Sequence, residues 1–419
     1  MTDNANKLKP AETLESIVKQ NRNIDNPDLV HMSFVKRTML IIGIWPANFR
    51  FIIIYNLYFY TSFLYYILYN MTLMIQVFAT WNQDMINAAG NAAVAIIYIL
   101  NIYRVVIFRS LRFRALIHQT EMKERQILTC SSDTIKGIFT KNVAFTRRLV
   151  RIYVAIGTTG ISLYYASPLV EDALLPLPFD NSTGVQPRRL IFSSWFPFNP
   201  NLHYWTSYFL QFVAGFYGYS YIVHCGAFYI TMLTFVTAQL KILRHLFANF
   251  TAYCDEYSKT HNFSDEENRN IVLKALIREH QHVIRFVWEM NDCMKLFTMM
   301  DFIISSFQLS LVLIQVLGSS KITERFAAFS YFLTLNTQLL FLYWNAHEIT
   351  VQSEKIAVSV FAGDFYNYPG NVTKMLQMVI IRAQKPLVLT IGPMGHVKMD
   401  AVFQIFRALY SYICLILRH

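Results

Sequence analysis

The sequence predicts an all-α membrane protein: seven transmembrane helices, N-terminus cytoplasmic, C-terminus extracellular, with a helical cytoplasmic anchor domain. Three observations carry that prediction. Of the 419 residues, 54% are apolar and only 15% charged, with a mean hydropathy of +0.31, whereas soluble domains carry about 25% charged residues. Apolar stretches of bilayer length recur along the chain. The basic residues fall almost entirely on one side of those stretches.

A bilayer core about 30 Å thick is crossed by about 20 mostly apolar helical residues. Residues 51–83, 85–103, 152–170, 190–240, 302–320 and 326–347 contain no Lys, Arg, Asp or Glu. A seventh stretch, 399–417, is interrupted by Asp400 and Arg407. Such long runs exclude an outer-membrane barrel, whose strands alternate over about 10 residues. If the amino end is cytoplasmic, the inner segments 1–50, 104–151, 241–285 and 347–386 hold 29 of the 37 Lys and Arg, and the outer segments hold 5. That asymmetry fixes the orientation. It also explains the net charge of +11: the cations lie in juxtamembrane segments facing anionic lipids. They do not form the aromatic-interleaved stripe of a nucleic-acid binder, so the expected partners include membrane lipids and no nucleic acid.

Taken in order, residues 1–50 form the cytoplasmic N-terminal segment; its first 35 residues are polar and contain no apolar signal core, leaving the first span to act as the uncleaved membrane signal. Residues 51–350 carry helices one to six. The fourth span is long enough to project inward toward Arg244. Below the membrane, Ser264-Asp-Glu-Glu267 reads as a capping box. From there Val272, Leu276, Val283, Phe286, Met290 and Phe297 recur at helical spacing with no Gly or Pro before Gly318. One helix is therefore expected from about 265 to 317, some 80 Å long. Its apolar stripe needs partners, which a cytoplasmic helical bundle supplies. Residues 351–386 give the anchor helix of that bundle, from Val372 to Lys385. Pro386, Gly392, Pro393 and Gly395 break it before the last helix of 387–419.

Chemistry-bearing motifs are missing from the sequence. There is no P-loop, GxGxxG, HExxH or GxSxG, and the five cysteines show no zinc spacing. His280 and His282, two apart, point to different helix faces and read as two exposed histidines. No catalytic residue, cofactor or metal is expected. Asn181-Ser182-Thr183 falls in the outer connection 169–202 and is the expected glycosylation site.

The carboxyl-terminal stretch narrows the reading. Phe361-Ala-Gly-Asp-Phe-Tyr-Asn-Tyr-Pro-Gly370 leads into Met375-Leu-Gln-Met-Val-Ile-Ile-Arg-Ala-Gln-Lys-Pro386, then Val397-Lys-Met-Asp400 and Tyr410-Ser-Tyr-Ile-Cys-Leu-Ile-Leu417. This resembles the terminal signature of insect odorant receptors. Met39-Leu-Ile-Ile-Gly43-Ile-Trp45-Pro46 resembles the segment those receptors carry before their first span. The resemblance implies the odorant-binding subunit of a heterotetrameric odorant-gated cation channel, assembled with the odorant co-receptor around one pore. The co-receptor's long insertion in the second intracellular loop is absent here.

The same resemblance implies site positions. Matching the terminal motif puts the gate at Leu415, with Ser411 and Arg418 on the same helical face. A small volatile organic ligand would lie in the outer half of the subunit, among the second to sixth spans. The matching faces offer Gly90 and Val94; Gly157, Gly160, Ile161 and Tyr164; Tyr208, Phe209 and Phe212; Phe329 and Phe332. Gly157 and Gly160 could instead serve close helix approach. Two rival readings are a gustatory-type homomeric channel and a seven-helix G-protein-coupled receptor. The cytoplasmic amino end, the cysteine-free outer connection and Tyr103-Arg104 in place of a DRY-type triplet all oppose the latter.

Overall fold

The computed structural model describes residues 30–45, 51–82, 85–177, 186–260, 264–318, 322–363 and 368–416. Eleven α-helices appear among them. They are α1 Ser33–Ile42, α2 Ile52–Thr80, α3 Met85–Phe108, α4 Leu111–Thr129, α5 Asp133–Leu174, α6 Tyr204–Ala248, α7 Phe250–Thr260, α8 Asp265–Gly318, α9 Ile322–Phe361, α10 Gly370–Ala383 and α11 Met399–Ile416. Among the described residues, α2, α5, α6 and α8 are each long and apolar enough to cross a membrane, and α3 with α4, bent by 58° between them, adds a fifth candidate.

α6 is the axis of the molecule. It packs against α1, α2, α3, α5, α7, α8 and α9, and its apolar surface is buried nearly all round from Ser220 to Leu240. An all-round apolar helix of this kind belongs in a core. α2 does the opposite, showing Ile53, Ile54, Leu57, Leu64 and Phe78 on its outer side. Exposed apolar rows on such a span suit contact with lipid tails.

The longest helix carries the expected start and reach. Ser264 Oγ accepts from Glu267 N (3.3 Å), and Glu267 Oε2 accepts from Ser264 N (3.3 Å), which is the reciprocal capping box. The 54-residue α8 then runs unbroken to Gly318. α5, with 42 residues, likewise extends well below its apolar stretch, a projection the charge pattern of 104–151 did not announce.

Below the spans, the helix ends form a bundle. α10 lies against α8 and α9, burying Val372, Leu376, Val379 and Ala383. The segment after it is pinned down by Thr350 Oγ1 donating to Leu387 O (3.0 Å), Leu387 N donating to Ser353 Oγ (3.0 Å), and Thr390 N donating to Asn291 Oδ1 (2.8 Å). α4 is tied to α8 by the Lys123–Glu279 ion pair (2.6 Å) and by Gln119 donating to Glu289 (3.0 Å). His280 is a correction to the sequence reading: its side chain is buried beside Phe247 rather than exposed. Its imidazole pKa falls to about 4 because burial penalises the charged form, with Arg382 adding to the effect.

The segment before α1 is clamped in the same region. Val30 N and His31 N both donate to Glu124 Oε1, at 2.8 and 2.7 Å, while His31 Nε2 meets Thr231 O at 2.9 Å. Burial lowers the His31 pKa to about 4. α1 ends at Gly43, whose φ of +88° suits a residue without Cβ. Arg109 closes this corner by donating to Gly43 O (3.2 Å) and Asn56 Oδ1 (2.7 Å).

Candidate ligand cavity

A cavity of about 610 Å³ opens between α3, α5, α6, α8 and α9, a volume within the range of small-molecule sites. Each helix presents one face to it. On α3 the residues step inward as Val94, Tyr98, Asn101 and Arg104; on α8 they step outward as Asp301, Ser305, Gln308 and Val312. α5 contributes Gly157, Ile161, Tyr164 and Tyr165, α6 contributes Gly215, Gly218, Tyr219 and Ile222, and α9 contributes Tyr331, Thr334, Leu335 and Gln338. Spacings of three and four keep each set on one side of its helix.

The outer end is aromatic. Tyr164 lies 5.8 Å from Tyr331 and 6.1 Å from Phe192 between ring centroids, and Gln308 Nε2 donates to the Tyr331 hydroxyl. Phe192 comes from the connection between α5 and α6, which folds over this end. Gln211, fully buried on α6, holds it there: Phe192 N donates to Gln211 Oε1 (3.1 Å), and Gln211 Nε2 donates to Phe192 O (2.7 Å) and Ser194 Oγ (2.8 Å). Arg189 fixes the same connection to Glu171 (3.3 Å) and Asp172 (2.8 Å) at the end of α5.

The inner end is polar. Arg104 pairs with Asp301, their side chains only 7% and 14% exposed. Arg104 Nη1 also donates to Asn101 Oδ1 (3.4 Å), and the guanidinium lies 4.8 Å from the centre of the Phe297 ring. Asn101 in turn donates to the Tyr66 hydroxyl (3.1 Å). Ionised groups at this depth are tolerated because each has a partner. The sequence reading missed this pair. Its signal was available: opposite charges close the inner ends of the charge-free stretches 85–103 and 302–320.

The structure gathers Val94, Gly157, Ile161 and Tyr164 on the cavity wall. Gly160 sits just behind, where any Cβ would overlap the Thr334 hydroxyl, so close approach of α5 and α9 is its visible role. Tyr208 and Phe212 stand in a second layer behind Tyr165, the first donating to Tyr165 O and the second 5.9 Å from its ring. Phe209 and Phe329 are exposed, and Phe332 packs against the core outside the lining. The reason is helical phase. On α6, positions 211, 215, 218 and 222 face inward, and 209, 212 and 216 face outward. Gly90 lies in α3, but its surroundings fall outside the described side chains.

At the far end of the chain, α11 buries Ala401, Val402, Ile405 and Leu409 against α8 and α9. Phe403, Arg407, Tyr410, Ser411 and Cys414 are exposed on its other side. Ser411 Oγ donates to Arg407 O (3.0 Å). Leu415 belongs to α11 but its side chain is outside those described, and Arg418 and Asn181 lie outside the described residues altogether. Among the described residues, no group of His, Cys, Asp and Glu is placed to hold a metal ion.

Comparison with known proteins gives one consistent answer. The family model described as 7tm odorant receptor matches residues 84–410. The chain is 25% identical over 217 residues to odorant receptor 10 of Aedes albopictus, covering 50% of this chain and 54% of that one. It is 22% identical over 192 residues to odorant receptor Or2 of Anopheles gambiae, covering 46% and 50%. The matched regions thus span about half the length of these curated relatives. The fold is that of the olfactory receptor OR5 from Machilis hrabei, with a TM-score of 0.74, 14% identity, and 93% of this chain and 99% of that one covered. The same receptor in complex with eugenol gives a TM-score of 0.75 at 14% identity, covering 94% and 100%.

Proposed function

The chain belongs to the 7tm odorant receptor family of insects, which is not an enzyme family, and we propose that it is the odorant-binding subunit of a heterotetrameric odorant-gated cation channel. The observation that carries this reading is the cavity of about 610 Å³ enclosed by five helices under the Phe192 connection. An apolar volatile gains binding energy there mainly by burial of its surface. The OR5 relative, whose fold this chain shares, has been solved with eugenol.

In this reading the amino end is cytoplasmic, the carboxyl end extracellular, and the protein sits in the plasma membrane of olfactory neurons. Three co-receptor or sister subunits complete the assembly. The bundle of α10 with the inner parts of α8 and α9 serves as the anchor between subunits. α11 lines the pore with the face carrying Ser411, and Leu415, one turn beyond, forms the gate with Arg418 at its mouth. Support for that assignment comes from the exposed face of α11, which lacks a partner within the described residues of one subunit. Asn181 in the outer connection carries the glycan.

The mechanism follows from connectivity. A ligand that spreads α8 and α9 moves the two helices on which α11 rests, and so widens the ring of α11 helices. Whole-cell current tests the proposal, with the chain expressed alone and with the co-receptor while G-protein signalling is blocked. Current that needs the co-receptor, arises within milliseconds and survives the block is the expected result. Current from the chain alone supports a homomeric channel, and responses abolished by the block support a G-protein-coupled receptor.

A further inference from the structure

The cavity has two unlike ends, and their chemistry says what kind of molecule fits. The Gln308–Tyr331 contact sets one level on the neighbouring helices α8 and α9. Seven residues inward along each, about 10 Å, are Asp301 and Gln338, both lining the cavity. Arg104 reaches the same floor by pairing with Asp301. Ser305 stands one turn above it on α8. So one wall of rings, Tyr164, Tyr331 and Phe192, faces a polar floor across roughly two helical turns.

The floor is polar but carries no net charge. Arg104 and Asp301 cancel, which disfavours a free acid or an ammonium ion, either of which would leave one charge uncompensated in a low-dielectric site. Hydrogen-bonding capacity nonetheless remains. Among the described residues, the Gln338 amide and the Ser305 hydroxyl make no side-chain hydrogen bond to the protein. Together these groups offer both donors and acceptors. A hydroxyl is a small neutral group that can donate and accept at once.

Resting on the odorant-receptor reading above, we propose that this cavity selects a neutral volatile with a flat apolar body and a single alcoholic or phenolic hydroxyl, ring outward and hydroxyl on the Gln338–Ser305 floor. A hydrocarbon of the same shape leaves that floor unpaired once it displaces water, and a site built to bond a hydroxyl rejects the analogue lacking it more strongly than it rejects a missing methylene.

Equilibrium binding to the purified full-length chain in lipid nanodiscs tests this, with 2-phenylethanol, ethylbenzene and the phenylethylammonium ion as probes. The expected result is 2-phenylethanol binding at least tenfold tighter than ethylbenzene, with the ammonium ion weakest. In the variant Gln338→Leu with Ser305→Ala, the two neutral probes should come within threefold, because the alcohol weakens while ethylbenzene holds. Retained ethylbenzene binding shows that the variant is folded. Equal binding of alcohol and hydrocarbon, no binding of the alcohol, or a preference unchanged in the variant overturns the inference. Current recorded in parallel with the co-receptor separates the two claims: selective binding without current leaves the ligand class standing and refutes the channel reading.

Discussion

Removing one member of the Arg104–Asp301 pair tests whether the cavity floor is built on a compensated charge. Both side chains are largely shielded, at 7% and 14% exposure, and Arg104 is further held by Asn101 and the Phe297 ring. Asp301→Asn leaves a guanidinium with no counter-charge among those neighbours. Breaking a buried pair in this way costs about 3–5 kcal/mol. For a chain of 419 residues that corresponds to a fall in melting temperature of roughly 3–6 °C. Arg104→Met strands the carboxylate and should cost a similar amount. The double variant Arg104→Met with Asp301→Asn carries neither charge, so it should recover most of the loss and sit within about 1–2 kcal/mol of the parent. Fluorescence-detected thermal melting of the solubilised protein measures all four species. Additive losses in the double variant would refute the pairing argument, as would an Asp301→Asn variant melting with the parent.

Other perturbations follow from the same geometry. Gly215→Ala drives a methyl into the Tyr165 hydroxyl and should cost about 1–3 kcal/mol by overpacking, with Tyr165→Phe restoring much of it in a melting assay. Between pH 6.5 and 4 the solubilised protein should lose stability. The unfolded chain takes up protons at His31 and His280 near pH 6.5, and the folded chain only near 4, so stability falls as pH falls through that window. The loss from the fully buried His31 alone is up to about 3 kcal/mol, and His31→Asn should flatten the slope. Gln211→Leu deletes the three bonds that hold Phe192 and Ser194 and should speed ligand exchange, read as faster dissociation of a bound volatile. Leu415→Ala should raise basal current in cells co-expressing the co-receptor, and unchanged basal current and gating remove Leu415 from the gate.

Much of the architecture was legible because membrane helices write themselves plainly. The charge-free runs lie largely in α2, α3, α5, α6, α8 and α9, and Ser264 with Glu267 marked the start of α8. Pro386 and the glycines after it separated α10 from α11. The cavity residues were harder to read. An apolar helix carries no amphipathic stripe when one side meets lipid and the other meets protein, so hydrophobic periodicity could not tell Phe209 and Phe212 from Gln211 and Gly215. The resemblance gave the region, and helical phase decided the residues. Polar groups within the spans would have been better guides than aromatic ones: Asn101, Arg104, Asp301 and Gln338 all line the cavity. His280 misled for the opposite reason. A histidine below the spans looks solvated until α6 and α8 bring Phe247 over it.

The unbroken course of α8 sets how the two halves of the molecule can communicate. Gln308 and Asp301 touch the cavity, while Asn291, Glu289 and Glu279 on the same helix grip the inner bundle and the segment leading to α11. No Pro or Gly lies between them to act as a joint. In the proposed channel, a displacement at Gln308 would reach Asn291, some 25 Å away along the helix, as a tilt of α8. Sensitivity of the inner bundle to events at the outer cavity is then a matter of stiffness, and exchanging the exposed pair Lys295–Leu296 for glycine would loosen that link without changing the register of either end.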